Sequence, residues 1–192
     1  MPLTATEICA AALVKIGARP IASLEEAGLE AACARRLYPI ARDALLVAHP
    51  WSFTLAHARL DPDAGAGPVA DFGRAYALPA DHLRTLSAGV GRSARGLTYR
   101  IQGARLLTDA GGDVVVAYQQ RVDEALFPAL FVQPLVTRLA AELCVPVTEG
   151  TARAAELAQL AELELRRARL LDSQQATPRR IEDFTLVEAR YS

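Results

Sequence analysis

Apolar positions at helical spacing open the chain. Ile8, Cys9, Ala12, Leu13 and Ile16 fall on one face of a predicted helix. Thr4 and Glu7 have the spacing of a capping box, and Gly17 offers a left-handed stop. A link over 18–27 leads to a second predicted helix at about 28–48, with Leu29, Cys33, Leu37, Ile40 and Ala44 as its stripe. Pro39 lies inside it and removes one backbone bond, at about 3 kcal/mol unless the helix kinks or breaks. The period changes after Pro50. Short strand-like runs follow at 52–60, 76–78, 82–88, 97–102, 105–108 and 114–119, most of them separated by glycine-containing turns. They predict an antiparallel meander. Residues 61–70 have no apolar pattern and read as a loop.

Helical period returns at about Asp123, where Phe127, Phe131, Leu135, Leu139 and Leu143 recur every four residues. Pro128 and Pro134 sit early in this segment, and Pro146 is the expected end. The last predicted helix, at about 149–175, is roughly 40 Å long at 1.5 Å per residue. Glu162 with Arg166, and Glu164 with Arg167, are expected to pair on its surface. Leu157, Leu160, Ala161, Leu165, Ala168 and Leu171 form its main stripe, with Leu163 and Leu170 a second patch roughly 140° away. Two patches suit a helix that packs on its own domain and also on another chain, with Leu163, Leu170 and Arg166 at that subunit interface. Deep burial within one domain is the alternative.

The pattern therefore predicts an α+β fold. Residues 1–50 and 121–175 supply a helical bundle, 51–120 form a β insert projecting from it, and 176–192 form an extended tail. Ordering a tail residue costs roughly 1–2 kcal/mol, so the tail needs substantial contacts to become fixed. Ile181, Phe184, Leu186, Val187 and Tyr191 offer apolar anchors, and Arg179 and Arg180 can pair with carboxylates. Docking on another subunit is expected, and folding back on its own helices is the alternative.

Composition narrows the classes. The chain has 192 residues, 52% hydrophobic and 22% charged, enough for one domain with a real core. Its 21 basic and 22 acidic residues leave a net charge of -1, without the strongly basic footprint of a dedicated nucleic-acid binder. The longest uncharged stretch, 44–58, has 15 residues, and a span needs roughly 20, so no membrane crossing is expected. Glu7 within the first apolar run, with no basic residue before it, does not fit a secretion signal. Cys9, Cys33 and Cys144 form no CxxC and read as small apolar residues in a reducing compartment.

Catalytic motifs are missing from the sequence. Gly89, Gly91 and Gly96 do not make a dinucleotide fingerprint, and Lys15 has no glycine-rich loop before it. His49, His57 and His82 lack metal-ligand spacing. The Ser93 segment lacks the second glycine of a nucleophile elbow. No cofactor is expected. Asp123 and Glu124 read as acids favoured at a helix start. Trp51 reads as a core plug, with ligand binding the alternative. Arg92, Arg95, Arg100 and Arg105 cluster in the β insert, on a solvated face by default, with phosphate contact as the other use.

Three stretches, taken in order, resemble a known family. The first is Ala12-Leu13-Val14-Lys15-Ile16-Gly17, then Ile21 to Glu26, then Ala31-Ala32-Cys33 through Tyr38-Pro39 and Arg42-Asp43 to Pro50-Trp51-Ser52-Phe53. The second runs from Tyr76-Ala77-Leu78-Pro79 to Arg84. The third is Val116-Ala117-Tyr118, Phe127-Pro128-Ala129-Leu130-Phe131 and Leu139-Ala140-Ala141-Glu142-Leu143. Over about 4–175 they resemble the tail tubular protein A family of short-tailed phages, the head-to-tail adaptor. The resemblance implies a virion protein assembled in the host cytoplasm. It implies a dodecameric ring beneath the portal protein, extending the channel through which DNA passes without sequence preference. It also implies a platform for the next tail component, a nozzle or tail tubular B type protein, with no membrane partner and no enzymatic activity. The tail residues Arg179, Arg180, Ile181, Phe184, Leu186 and Tyr191 would dock on the portal or a neighbouring copy. A virion-associated peptidoglycan hydrolase is the alternative function, although the acids show no diagnostic pair. A helical regulatory or scaffolding module fits the composition but leaves the β insert unexplained.

Overall fold

The computed structural model describes residues 3–63 and 71–175. The fold is α+β, with four α-helices among the described residues: α1 (Ala5–Lys15), α2 (Leu29–Val47), α3 (Ala129–Thr148) and α4 (Thr151–Ser173). Between α2 and α3 come six strands: β1 (Leu55–Leu60), β2 (Arg74–Ala77), β3 (His82–Val90), β4 (Arg100–Gln102), β5 (Arg105–Thr108) and β6 (Val114–Gln120). Short 3-10 turns, Ser52–Thr54 and Glu124–Leu126, mark the passages into and out of this insert.

The ends of α1 follow from its sequence. The Thr4 hydroxyl accepts from the Glu7 N–H at 3.3 Å, and the Thr4 N–H donates to the Glu7 carboxylate at 2.7 Å. That backbone bond holds the Glu7 carboxyl below its ordinary value, helped by the Thr4 hydroxyl. At the other end Gly17 takes φ 79, which lets its own N–H and that of Ala18 close on the carbonyls of Val14 and Leu13. The face between, Ile8, Cys9, Ala12, Leu13 and Ile16, is buried as its spacing predicts.

In α2 the buried side is not the expected one. Ala31, Ala34, Tyr38, Ala41, Leu45 and Leu46 are buried, whereas Leu29, Ile40 and Ala44 are exposed and Cys33 and Leu37 half-buried. The small residues let α2 approach α3 closely, and the larger apolar residues are left on the outside. Pro39 lies on that exposed outer side, and α2 continues through it.

The core helix is α3, which packs against α1, α2 and α4. Phe131, Leu135, Leu139, Ala140, Leu143 and Cys144 are fully buried. Among the described helices α3 alone is long and apolar enough to cross a bilayer, but half of it is buried in protein and it carries Arg138 and Glu142. It runs past Pro146 to Thr148, because Pro146 sits on an exposed side where water can bond the freed carbonyl. Glu149, at φ 58, then donates its N–H to Val145 and turns the chain into α4.

Trp51 is the plug that its position suggested. It is fully buried, meets the Phe131 ring edge-on at 5.3 Å, and donates its indole N–H to the Leu45 carbonyl at 2.9 Å.

The insert has its own small core. All pairings are antiparallel, but the strand orders are β1-β6-β3 and β2-β5-β4, not the sequential order of a meander. Leu60, Ala88, Val114, Val116 and Tyr118 from the first sheet meet Tyr76 and Leu106 from the second. The helical cluster is separate in its buried members, which come from residues before 54 and after 121, while Leu83 at the start of β3 packs against it from the insert. Two strands are shorter than expected, since 52–54 form a turn and only Arg100–Gln102 pair in β4. The expected loop 61–70 lies largely outside the described residues.

Polar joints fix the insert and α4 to the helical body. Gln119 on β6 donates to the carbonyls of Leu46 at 2.9 Å and His49 at 2.6 Å. Asp172, near the end of α4 and almost fully buried, accepts from the Ser52 N–H at 3.1 Å and the Ser52 hydroxyl at 2.7 Å. His49 lies 3.2 Å from the same carboxylate. Replacing Asp172 by Ala strands the half-buried Ser52 N–H, while the Ser52 hydroxyl keeps the Gln175 side-chain carbonyl oxygen at 3.0 Å, so urea unfolding should show a loss of about 1–3 kcal/mol. Asp172→Asn, which keeps one acceptor oxygen, should lose less. An unchanged urea midpoint for Asp172→Ala would remove this joint from the account.

Candidate interaction surface

The outward side of α4, like the outer side of α2 with Leu29 and Ile40, leaves apolar residues exposed. Leu157, Ala161, Leu165, Ala168 and Asp172 point into the body. Leu163 and Leu170 are 42% and 63% exposed, and Arg166 is exposed beside them. Leu160 and Leu171, expected in the buried stripe, are also exposed, at 39% and 53%. The buried stripe is therefore narrower than predicted, because α3 covers only one side of α4. At 100° per residue the Leu163–Leu170 patch lies nearly opposite the buried stripe.

The expected pairs along α4 do not form, because the acids turn toward other helices. Glu162 lies 3.8 Å from Arg138 of α3, and Arg166 donates only to the Glu162 backbone carbonyl, at 3.4 Å. Glu164 accepts from Gln133 at 3.1 Å and lies 3.9 Å from Lys15 of α1. Among the described residues Arg166 thus has no carboxylate partner, and Arg167 makes none of these bonds. Beside α4 a groove of about 230 Å³ separates it from α2, with Ile40 and Ala44 on one wall and Glu162 and Arg169 on the other. This groove was not foreseen. Its signal in the sequence is the stripe of α2 itself, whose Leu37, Ile40 and Ala44 line this groove.

The tail residues Arg179, Arg180, Ile181, Phe184, Leu186, Val187 and Tyr191 lie outside the described residues.

The ionisable clusters are structural joints. Among the described residues no three of His, Cys, Asp and Glu gather as a metal site. Ser52 donates to Asp172 and Gln175, and His49 faces the Asp172 carboxylate, so the group lacks the serine–histidine hydrogen bond of an activated nucleophile. Asp123 caps the turn after it by accepting from the Ala125 N–H at 3.2 Å, as its position suggested. Glu124 stands in the first turn of the short helix Glu124–Leu126, as expected, and its carboxylate also reaches α2. It accepts from the Tyr38 hydroxyl at 2.9 Å and from Arg42 at 3.0 Å, linking α2 to the passage out of the insert. Burial raises the Tyr38 hydroxyl well above its ordinary range, and the bond to Glu124 adds to this. His82 is lowered, chiefly by burial, and its ring bonds the Thr85 hydroxyl at 2.8 Å.

No protein-family model matches the chain, and neither does any curated protein sequence.

Cys9 makes a test of this interior. Burial pushes its thiol up to about 12, and the Glu124 carboxylate adds to the rise. The unfolded chain releases that proton near the ordinary thiol value of 9.0, so ionisation favours unfolding. The stability contribution is intact below pH 9 and is lost as pH rises toward 12. Cys9→Ala should therefore flatten the alkaline loss by at most about 1.4 kcal/mol per pH unit in urea melts. Parallel curves for the two proteins between pH 9 and 11 would mean that the thiol is not desolvated.

Proposed function

We propose that the chain is a structural head-to-tail adaptor of a bacteriophage virion. Copies join in a ring, dodecameric by the resemblance, beneath the portal protein. The ring extends the channel for the genome and offers a platform to the next tail protein. The reading is that of an assembly protein and not of an enzyme.

The observation that carries it is the outward side of α4. Four exposed leucines, and two arginines without carboxylate partners among the described residues, lie on a helix whose opposite side is anchored in the core. Burying one leucine is worth about 1.5–3 kcal/mol, and a ring repeats that gain at every interface. The two-part build supports the same reading. A helical body with a separately cored β insert can place one part against neighbouring copies and the other toward the channel or the next protein.

Two experiments test it. Leu163→Glu with Leu170→Glu should leave the thermal melt nearly unchanged, because both positions are exposed, while negative-stain images with portal rings lose the bound adaptor. Normal assembly of that double variant would take the interface away from this side of α4. Deleting residues 177–192 should likewise spare the melt and abolish attachment to portal-bearing heads. A destabilised monomer that still attaches would assign the tail to the fold.

A further inference from the structure

The four arginines of the β insert look equivalent in sequence, and the fold divides them into two kinds. Arg100 pairs with Asp71 at 3.2 Å and lies 5.6 Å over the Phe72 ring. Arg105 pairs with Asp63 at 2.8 Å. Arg92 and Arg95 are exposed and have no ion pair among the described residues. Both line a concavity of about 390 Å³ on the outer face of the β1-β6-β3 sheet, together with His57, Ser87 and Ser93. Among the described residues no acidic one lines it. Asp113, in the turn before β6, is held by Arg59 at 2.7 Å.

The concavity is built by the backbone. The loop 91–96 folds down onto β3, and a Cβ at Gly89 would meet the Ser93 carbonyl oxygen at 2.0 Å and the Arg95 nitrogen at 2.4 Å. Gly91 and Gly96, at φ 74 and 81, turn the chain at the two ends of this loop. The Leu97 N–H then returns to the Ala88 carbonyl at 3.1 Å. Register explains the rest of the pocket. His57 and Ser87 both stand opposite Ala117, so the three share one side of the sheet, and the small Ala117 leaves room between them.

We propose that this concavity binds the phosphodiester backbone of duplex DNA, making the open side of the sheet the one turned toward the genome. The proposal rests on the adaptor reading for its choice of DNA as the source of phosphate. Two guanidinium groups offer forked donors to phosphate oxygens, and the serine hydroxyls add donors of the same reach. The floor of Val115 and Ala117 has nothing with which to read a base edge, so contact is independent of sequence. Two cations in each copy hold the duplex weakly, and a ring gathers many such contacts without a tight grip at any one.

Fluorescence anisotropy with the full chain, on two duplexes of unrelated sequence, tests this. Two neutralised phosphates per copy, at a salt slope of about 0.9 each, predict an affinity that falls about 60-fold between 20 and 200 mM salt. Arg92→Ala with Arg95→Ala should abolish that dependence, and Arg92→Lys with Arg95→Lys should keep most of it. Inorganic phosphate at millimolar concentration should compete with both duplexes. The proposal is overturned if the alanine pair binds DNA as the parent does, if one duplex is strongly preferred, or if phosphate binds and neither duplex does. Portal attachment of the same alanine pair separates the two readings. Retained attachment with unaltered DNA binding sinks only this proposal, whereas arginine-dependent DNA binding by a chain that never joins a portal sinks the adaptor.

Discussion

The rest of the structure depends on covering α3. This helix buries Phe131, Leu135, Leu139 and Leu143 completely, and it does so by packing against α1, α2 and α4. Both α1 and α2 precede the insert, while α3 and α4 follow it, so the chain must leave the helical body and come back to the same place. Pairing β1 with β6 solves this. The strand that leaves and the strand that returns lie side by side, from Leu55 opposite Gln119 to Leu60 opposite Val114. The insert can then grow its own core, with Leu83 of β3 packing against the helical one where the two meet.

Apolar burial makes such a body stable but fixes the relative angles of its parts poorly, because the hydrophobic effect is non-directional. The directed contacts fall where parts join. Gln119 holds the returning strand to the end of α2, Asp172 holds the end of α4 to Ser52, and Glu124 holds the passage into α3 to Tyr38 and Arg42. Each is a buried or half-buried polar group that would be costly to leave unpaired. Their shared effect is orientation: the insert and the long helix are presented at set angles to the body.

Local signals were legible in the sequence wherever one side of an element decided the matter. The Thr4–Glu7 cap, the Gly17 stop and the strand at Arg105–Thr108 are read directly from residue chemistry. In α2 two apolar stripes compete, and packing against α3 selects the one with small residues, which a size-weighted reading ranks second. The partners of Glu162 and Glu164 were equally hidden, since helical spacing cannot show that α3 and α1 bring closer donors. Strand order was hidden for a similar reason: turn glycines mark where strands end, not which strands become neighbours. Among the site residues, the outward placement of Leu163 and Leu170 was visible from angle alone, but the exposure of Leu160 and Leu171 required knowing where α3 stops.

That wider exposure changes what can lie against α4. Leu160, Leu163, Arg167 and Leu170 follow one another at intervals of three, four and three, the spacing of a coiled-coil seam. A purely apolar partner would bury Arg167 without a counter-charge, which costs several kcal/mol. A partner helix must therefore bring a carboxylate to that point, or pack so that the guanidinium reaches water past Leu171. Either demand fixes where along the seam the partner sits, since sliding it by one turn moves an apolar residue onto Arg167. In an interface of that kind the leucines would supply the attraction, and the arginine among them its register. That division suits repeated copies, because every junction in a closed ring must adopt the same offset.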